Sequence, residues 1–171
     1  QNAIKDLRES PAIATGPIVS GKAQTDDGDP VRVPFDTQIT LGTVRETSEA
    51  DINAALDLAT AFQPEWDRLG GSARAQILRD RADAMEAGMP RRIAMMAREA
   101  GKTLADGVAE VREAVDFCRY YAVQAEEQFE TPVRLPGPAG ETNHISLHGR
   151  GVFACISPWN FPLAIFTGQI A

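Results

Sequence analysis

The segment Ile156-Ser-Pro-Trp-Asn-Phe-Pro162 gathers a hydroxyl, a side-chain amide and two aromatic rings into one short stretch. It follows the apolar run Gly151-Val-Phe-Ala-Cys-Ile156 and precedes a stretch of helical character from about Pro162. In open α/β sheets, ligands bind just outside the carboxyl ends of the strands. A strand-to-helix junction carrying Asn160, Trp159 and Phe161 is therefore placed to touch a substrate and a cofactor. The same residues also fit a plainer arrangement, with Trp159 and Phe161 in the core and Asn160 capping the following helix.

Other chemistry-bearing residues carry weaker signals. Cys118 and Cys155 each lie in a hydrophobic run, and the expectation is two buried, reduced thiols, Cys118 within a helix and Cys155 within a strand. His144 and His148 share one strand face, but no third ligand accompanies them at metal spacing, so no metal site is expected. The glycines from Gly137 to Gly140 precede no helix and do not make a phosphate loop. Glu110 and Glu113 can be read as a solvated helix face shared with Arg112 and Arg119.

The elements that must position these residues follow from the pattern. The 43% hydrophobic and 24% charged content over 171 residues is that of a globular protein, and a net charge of −7 argues against binding nucleic acid. No apolar run reaches the roughly 20 residues that cross a bilayer, and no charged-then-apolar leader opens the chain. With two cysteines and no disulfide framework, a cytoplasmic setting is expected. The chain starts at Gln1 and stops at Ala171 inside an apolar stretch, which reads as a piece of something larger.

Val31-Arg-Val33 and Gln38-Ile-Thr-Leu41 alternate as strands around a turn at Pro34-Phe-Asp36, with a further turn at Asp26-Asp-Gly-Asp-Pro30. From Ser48, with Asp51 three residues on, a helical stripe of Ile52, Ala55, Leu56, Ala59 and Phe62 runs until Pro64 closes it. A second helix starts near Ser72, with Ile77, Leu78, Ala82 and Met85 on its apolar face and Gly88 near its end. A third runs from Pro90 to Gly101, and a fourth from about Ala105 to Phe129. The stripe of the fourth includes Val108, Val111, Val115, Phe117, Cys118 and Tyr121. After the proline-rich Pro132 to Gly140, His144-Ile-Ser-Leu-His148 reads as a half-exposed strand. Gly151 to Ile156 reads as a strand buried on both faces of a parallel sheet. Helices leading into strand–turn–helix predict a helical lead-in to a doubly wound α/β domain.

These residues resemble a known family. Ile156-Ser-Pro-Trp-Asn-Phe-Pro-Leu163, preceded by Gly149-Arg-Gly-Val152, resembles the signature junction of the aldehyde dehydrogenase superfamily. Arg98-Glu-Ala-Gly-Lys-Thr-Leu104 and Glu110-Val-Arg-Glu-Ala-Val-Asp-Phe-Cys-Arg-Tyr-Tyr-Ala122 resemble its early helices. Val33-Pro-Phe-Asp36 with Leu41-Gly-Thr-Val44 resembles its first strand pair. Asp116-Phe-Cys-Arg-Tyr-Tyr121 with Phe166-Thr-Gly-Gln169 is most similar to the pyrroline-5-carboxylate dehydrogenase module of the bacterial proline utilization A family. Members of that family join it to an FAD-dependent proline dehydrogenase.

The resemblance implies an α/β, aldehyde dehydrogenase-like fold. Residues 1–46 would be a strand arm, 47–130 the helical part of a Rossmann-type NAD-binding domain, 131–150 an oligomerisation segment and 151–171 the incomplete start of the Rossmann core. It implies a cysteine thiolate attacking an aldehyde, with hydride passing to NAD. Asn160 matches the side-chain donor to the oxyanion, and Ile156, Ser157, Pro158 and Trp159 match the segment lying along the cofactor. Phe161 matches an aromatic wall of the aldehyde tunnel. Glu113 matches a tunnel-facing site where a carboxylate suits a substrate ammonium, with Phe117 on its face and Gly168 also lining the tunnel. Cys155, before the turn, does not match the nucleophile. The nucleophilic Cys, the general-base Glu and the ribose-gripping Lys segment are expected beyond Ala171, so the chain alone is expected to be inactive. The implied activity is NAD-dependent oxidation of L-glutamate γ-semialdehyde to glutamate by a homo-oligomeric enzyme. The alternatives are another aldehyde dehydrogenase, such as one for succinate semialdehyde, or a non-catalytic scaffold module.

Overall fold

The computed structural model describes residues 13–26 and 28–171, so the first part of the expected strand arm and Asp27 of its turn lie outside the described residues. Strand β1 (Ile13–Thr15), a small β2 (Ile18–Val19) and β3 (Lys22–Ala23) hairpin, β4 (Asp29–Val33) and β5 (Asp36–Val44) come first. β5 is central in a three-stranded sheet, parallel to β1 and antiparallel to β4. The expected strand pair is present around its turn, and both strands extend beyond the predicted runs. Pro30 is tolerated because β4 is an edge strand.

Helix α1 (Glu49–Arg68) starts at a reciprocal cap, in which Ser48 Oγ accepts from the Asp51 amide and Asp51 accepts from the Ser48 amide. Pro64 does not close it. The helix runs through the proline to Arg68, and the break comes at Gly70, whose φ of +80° no other residue adopts cheaply. The end of α1 is tied down from afar, since the Gly149 amide donates to Asp67 at 2.6 Å. No residue of α1 is buried, so its apolar stripe faces outward in this chain.

Helix α2 (Gly70–Ala87) begins two residues before the expected Ser72. Its first amides are capped by a carboxylate from elsewhere: the Ser72 amide donates to Glu130 at 2.6 Å. Helix α3 (Met89–Glu99) has Pro90 in its first turn, as expected. Helix α4 (Leu104–Phe129) is capped by Thr103, whose hydroxyl accepts from the Asp106 amide. The core lies among α2, α3 and α4, where Ala82, Met85, Met96, Val111, Ala114, Val115 and Cys118 are buried together. Small residues let α2 and α4 approach closely, with Ala75, Ala82, Ala114 and Ala122 fully covered. Val108 and Tyr121 from the expected stripe are exposed instead.

Beyond α4, β6 (Val133–Leu135) and β7 (Asn143–Ile145) form a two-stranded hairpin, so the expected strand at His144–His148 is shorter and begins one residue earlier. Residues 151–158 form no strand, and Gly151 to Ile156 are exposed rather than buried. A strand exists only by pairing with a neighbour, and none of the described strands pairs with this run. Helix α5 (Ala164–Ile170) follows, packed against α4, and starts two residues later than expected.

Candidate functional site

The site residues lie where α4, α5 and the intervening turn meet. Helix phase sets which α4 side chains face inward. Gly107, Glu110, Val111, Ala114, Val115 and Cys118 share the buried face. Glu110 is therefore not on a solvated surface, and the reading that grouped it with Glu113, Arg112 and Arg119 fails for Glu110: it is 2% exposed. Its Oε1 accepts from the amides of Leu163 (2.7 Å) and Ala164 (3.2 Å), the first donors of α5. Its Oε2 lies 2.7 Å from Lys102 Nζ. Lys102 Nζ also donates to the main-chain oxygen of Asn160 at 3.0 Å and sits 4.5 Å from the centre of the Phe161 ring. Oε1 is satisfied by the two amides, whereas Oε2 faces the ammonium as an ion pair without a well-aligned hydrogen bond.

Asn160 lies in the exposed turn between residue 158 and α5, and no bond to its side-chain amide occurs among the described residues, leaving that donor available. The preceding residues are held by Gln169. Its Nε2 donates to the Ile156 carbonyl (3.1 Å), and its Oε1 accepts from the Ser157 hydroxyl (2.7 Å). Ile156 and Trp159 turn apolar surface outward, at 87% and 81% exposure. Asn160 thus does not cap α5; the Glu110 carboxylate does. Trp159 is not core.

A second cluster lies further along α4. Glu113 and Phe117, with Arg112, Asp116 and Tyr120, line an open groove of about 530 Å³. Phe117 stacks on Tyr121 with the rings 13° from parallel. Gly168 of α5 lies against the ring of Phe117, so Phe117 meets both Gly168 and the groove that Glu113 lines, while Gly168 is not itself part of that lining. Phe161 belongs instead with Lys102 and Asn160.

Cys118 is not set up as a nucleophile. It is buried, and burial pushes its thiol up. Cys155 is exposed, against the expectation of a buried strand thiol, because the run that carries it is unpaired; its Sγ lies 3.4 Å from the Gln169 carbonyl. No cluster of three or more His, Cys, Asp or Glu suited to a metal occurs among the described residues, and no described helix is long and apolar enough to cross a membrane.

Lys102, Glu110 and Gln169 were missed as site residues by sequence reasoning. For Glu110 the signal was present, because it falls in phase with Gly107, Val111, Ala114 and Cys118, and a lone carboxylate on an apolar stripe demands a partner. Lys102 meets Asn160 across 58 residues and Gln169 meets Ser157 and Ile156 across 12 and 13, and nothing local marks either.

Comparison with known proteins bears on the fold and the family. The chain is 42% identical over 155 residues to the bifunctional protein PutA of Klebsiella aerogenes, covering 91% of this chain and 10% of that protein. It superposes on a proline utilization A from Bdellovibrio bacteriovorus with a TM-score of 0.92 and 29% identity, covering 99% of this chain and 18% of the other. Its TM-score against the NAD-bound 1-pyrroline-5-carboxylate dehydrogenase from Thermus is 0.90 at 28% identity, over 98% of this chain and 33% of that one. The chain therefore spans about a tenth of the curated relative it matches. The pattern of the aldehyde dehydrogenase family matches residues 22–171, and with that match and that fold the chain belongs to the aldehyde dehydrogenase family.

Proposed function

We propose that this chain forms part of the substrate and cofactor walls of an NAD-dependent dehydrogenase that oxidises L-glutamate γ-semialdehyde to glutamate. The observation that carries the substrate assignment is the open groove on α4 that Glu113 and Phe117 line together, with Gly168 of α5 against the Phe117 ring. A carboxylate there attracts an ammonium group, and the aromatic face covers the aliphatic part of the substrate. The likeness to PutA and to pyrroline-5-carboxylate dehydrogenase supports the same reading.

The Asn160 amide serves as the donor that stabilises the oxyanion formed when a thiolate elsewhere in the protein attacks the aldehyde. Such a donor acts because it is fixed before charge develops. Phe161 walls the aldehyde path and is held against Lys102. Ile156 and Trp159 offer outward apolar surface suited to the flat rings of a dinucleotide, and Gln169 holds Ile156 and Ser157 in place for it. Bound there, NAD supplies the hydride acceptor. Any FAD would belong to a separate proline dehydrogenase domain of the same polypeptide. The β6–β7 hairpin, with Val133, Leu135 and Ile145 exposed, suits the contact of a homo-oligomer in the cytoplasm.

The test is NADH formation by the full-length protein with pyrroline-5-carboxylate, which supplies the semialdehyde, against succinate semialdehyde. A preference in kcat/KM of more than about tenfold for the former is expected, the scale of one hydrogen bond to a charged group. A preference for succinate semialdehyde would overturn the assignment.

A further inference from the structure

The residue chosen for the oxyanion sits in an exposed turn, where a side chain and its backbone would ordinarily wander. Here the turn is gripped from α4 and the residues just before it. Lys102 Nζ, its side chain largely covered, donates to the carbonyl oxygen of Asn160 itself (3.0 Å). The same ammonium is anchored by the buried Glu110 at 2.7 Å, and it lies over the ring of Phe161, the next residue. Glu110 grips the far end of the turn through the Leu163 and Ala164 amides. One ion pair thus fastens the carbonyl of Asn160 and the backbone that follows it into α5.

We propose that the Lys102–Glu110 pair is a positioning device that fixes the peptide carrying Asn160, so that the amide is aimed at the oxyanion before charge develops. Lys102 touches no reacting atom; it acts through Asn160. The reason it matters is geometric. Preorganised donors are effective only within a few tenths of an ångström of their target, and misplacement by about 1 Å can cost on the order of 10²-fold in rate. A hydrogen bond to the main-chain oxygen of the donor residue restrains the rotation of that peptide, which no contact to the side chain would do. The buried, doubly capped carboxylate keeps the lysine itself from sampling other rotamers.

This inference rests on the role given to Asn160, and not on the identity of the aldehyde. The experiment is a double-mutant cycle of Lys102→Met and Asn160→Ala in the full-length enzyme, assayed with whichever aldehyde that enzyme turns over. Lys102→Met is expected to lower kcat by about 10- to 100-fold with the aldehyde KM within about twofold, the signature of an interaction made in the transition state. Asn160→Ala is expected to cost about 10²–10³-fold. Because the lysine acts through the amide, the double variant should fall within about threefold of Asn160→Ala alone, a strongly non-additive result. Losses that multiply in the double variant, or an unchanged kcat in Lys102→Met, would overturn the proposal. If Lys102→Met does not fold, Lys102→Gln, which retains a donor, replaces it in the same cycle with a smaller loss expected and the same non-additivity required. A small effect of Asn160→Ala itself would instead strike the oxyanion assignment, and pyrroline-5-carboxylate turnover reports separately on the substrate reading.

Discussion

Gly168 presents its bare α-carbon to the ring of Phe117, and a β-carbon built there would lie 3.0 Å from Cδ2 and Cε2 of that ring. Two helices, α4 and α5, thereby approach closely at Phe117, which also lines the groove that holds Glu113. Gly168→Ala would force the Phe117 ring, which lines the groove, to shift by a few tenths of an ångström. The expected stability cost is about 1 kcal/mol, the low end for overpacking, and the displaced ring should raise KM for the semialdehyde severalfold with little change in kcat. Steady-state kinetics on the full-length enzyme decide it, and an unchanged KM would mean that the ring yields without narrowing the groove.

Glu113 is exposed and lines that groove, so its charge is available to a bound molecule rather than spent on a partner within the fold. Glu113→Gln keeps the size and removes the charge. Selectivity for the ammonium-bearing aldehyde over succinate semialdehyde should fall by about tenfold, the value of one hydrogen bond to a charged group. Equal losses on both substrates would remove Glu113 from the specificity argument.

Glu110 is the opposite case, a carboxylate buried against Lys102 and two backbone amides. Glu110→Ala strands an ammonium and two donors in the interior, and about 3–5 kcal/mol of stability should be lost. Glu110→Gln retains an acceptor for the Leu163 and Ala164 amides and should be milder. Urea denaturation of the full-length protein measures both, and an alanine variant as stable as the parent would show that water replaces the carboxylate without cost.

Four carboxylates hold their protons less tightly in the fold than in a free chain. The Ser48 hydroxyl and amide lower Asp51, the Gly149 amide lowers Asp67, Arg79 lowers Glu126, and the Ser72 amide lowers Glu130. For groups whose folded value is depressed, the stabilisation is complete above the unfolded value and is lost as pH falls through the folded one. The thermal midpoint should therefore be insensitive to these groups above about pH 5 and decline below about pH 4, where unperturbed carboxylates titrate. Glu130→Gln should flatten that decline; a midpoint that holds steady to pH 3 would contradict the set.

Much of this was legible along the chain, because it depends on neighbours in sequence. The Ser48–Asp51 cap, Pro90 in a first turn, the long α4 and the β4–β5 pair all follow from local periodicity and capping chemistry, and the junction from Ile156 to Pro162 was recognisable as a family signature. Pro64 misled because its local penalty was outweighed by what holds the helix beyond it, including the bond from Gly149 to Asp67 across the fold. The run Gly151 to Ile156 has the composition of a buried strand, yet it lies unpaired, since composition specifies a willingness to be covered and only partner strands can do the covering. Glu110 and Glu113 are alike in type and three residues apart, and nothing in their identities separates an anchor from a groove residue. The rotation of α4 about its own axis decides that: it turns one carboxylate inward to Lys102 and the α5 amides and the other outward to the open groove.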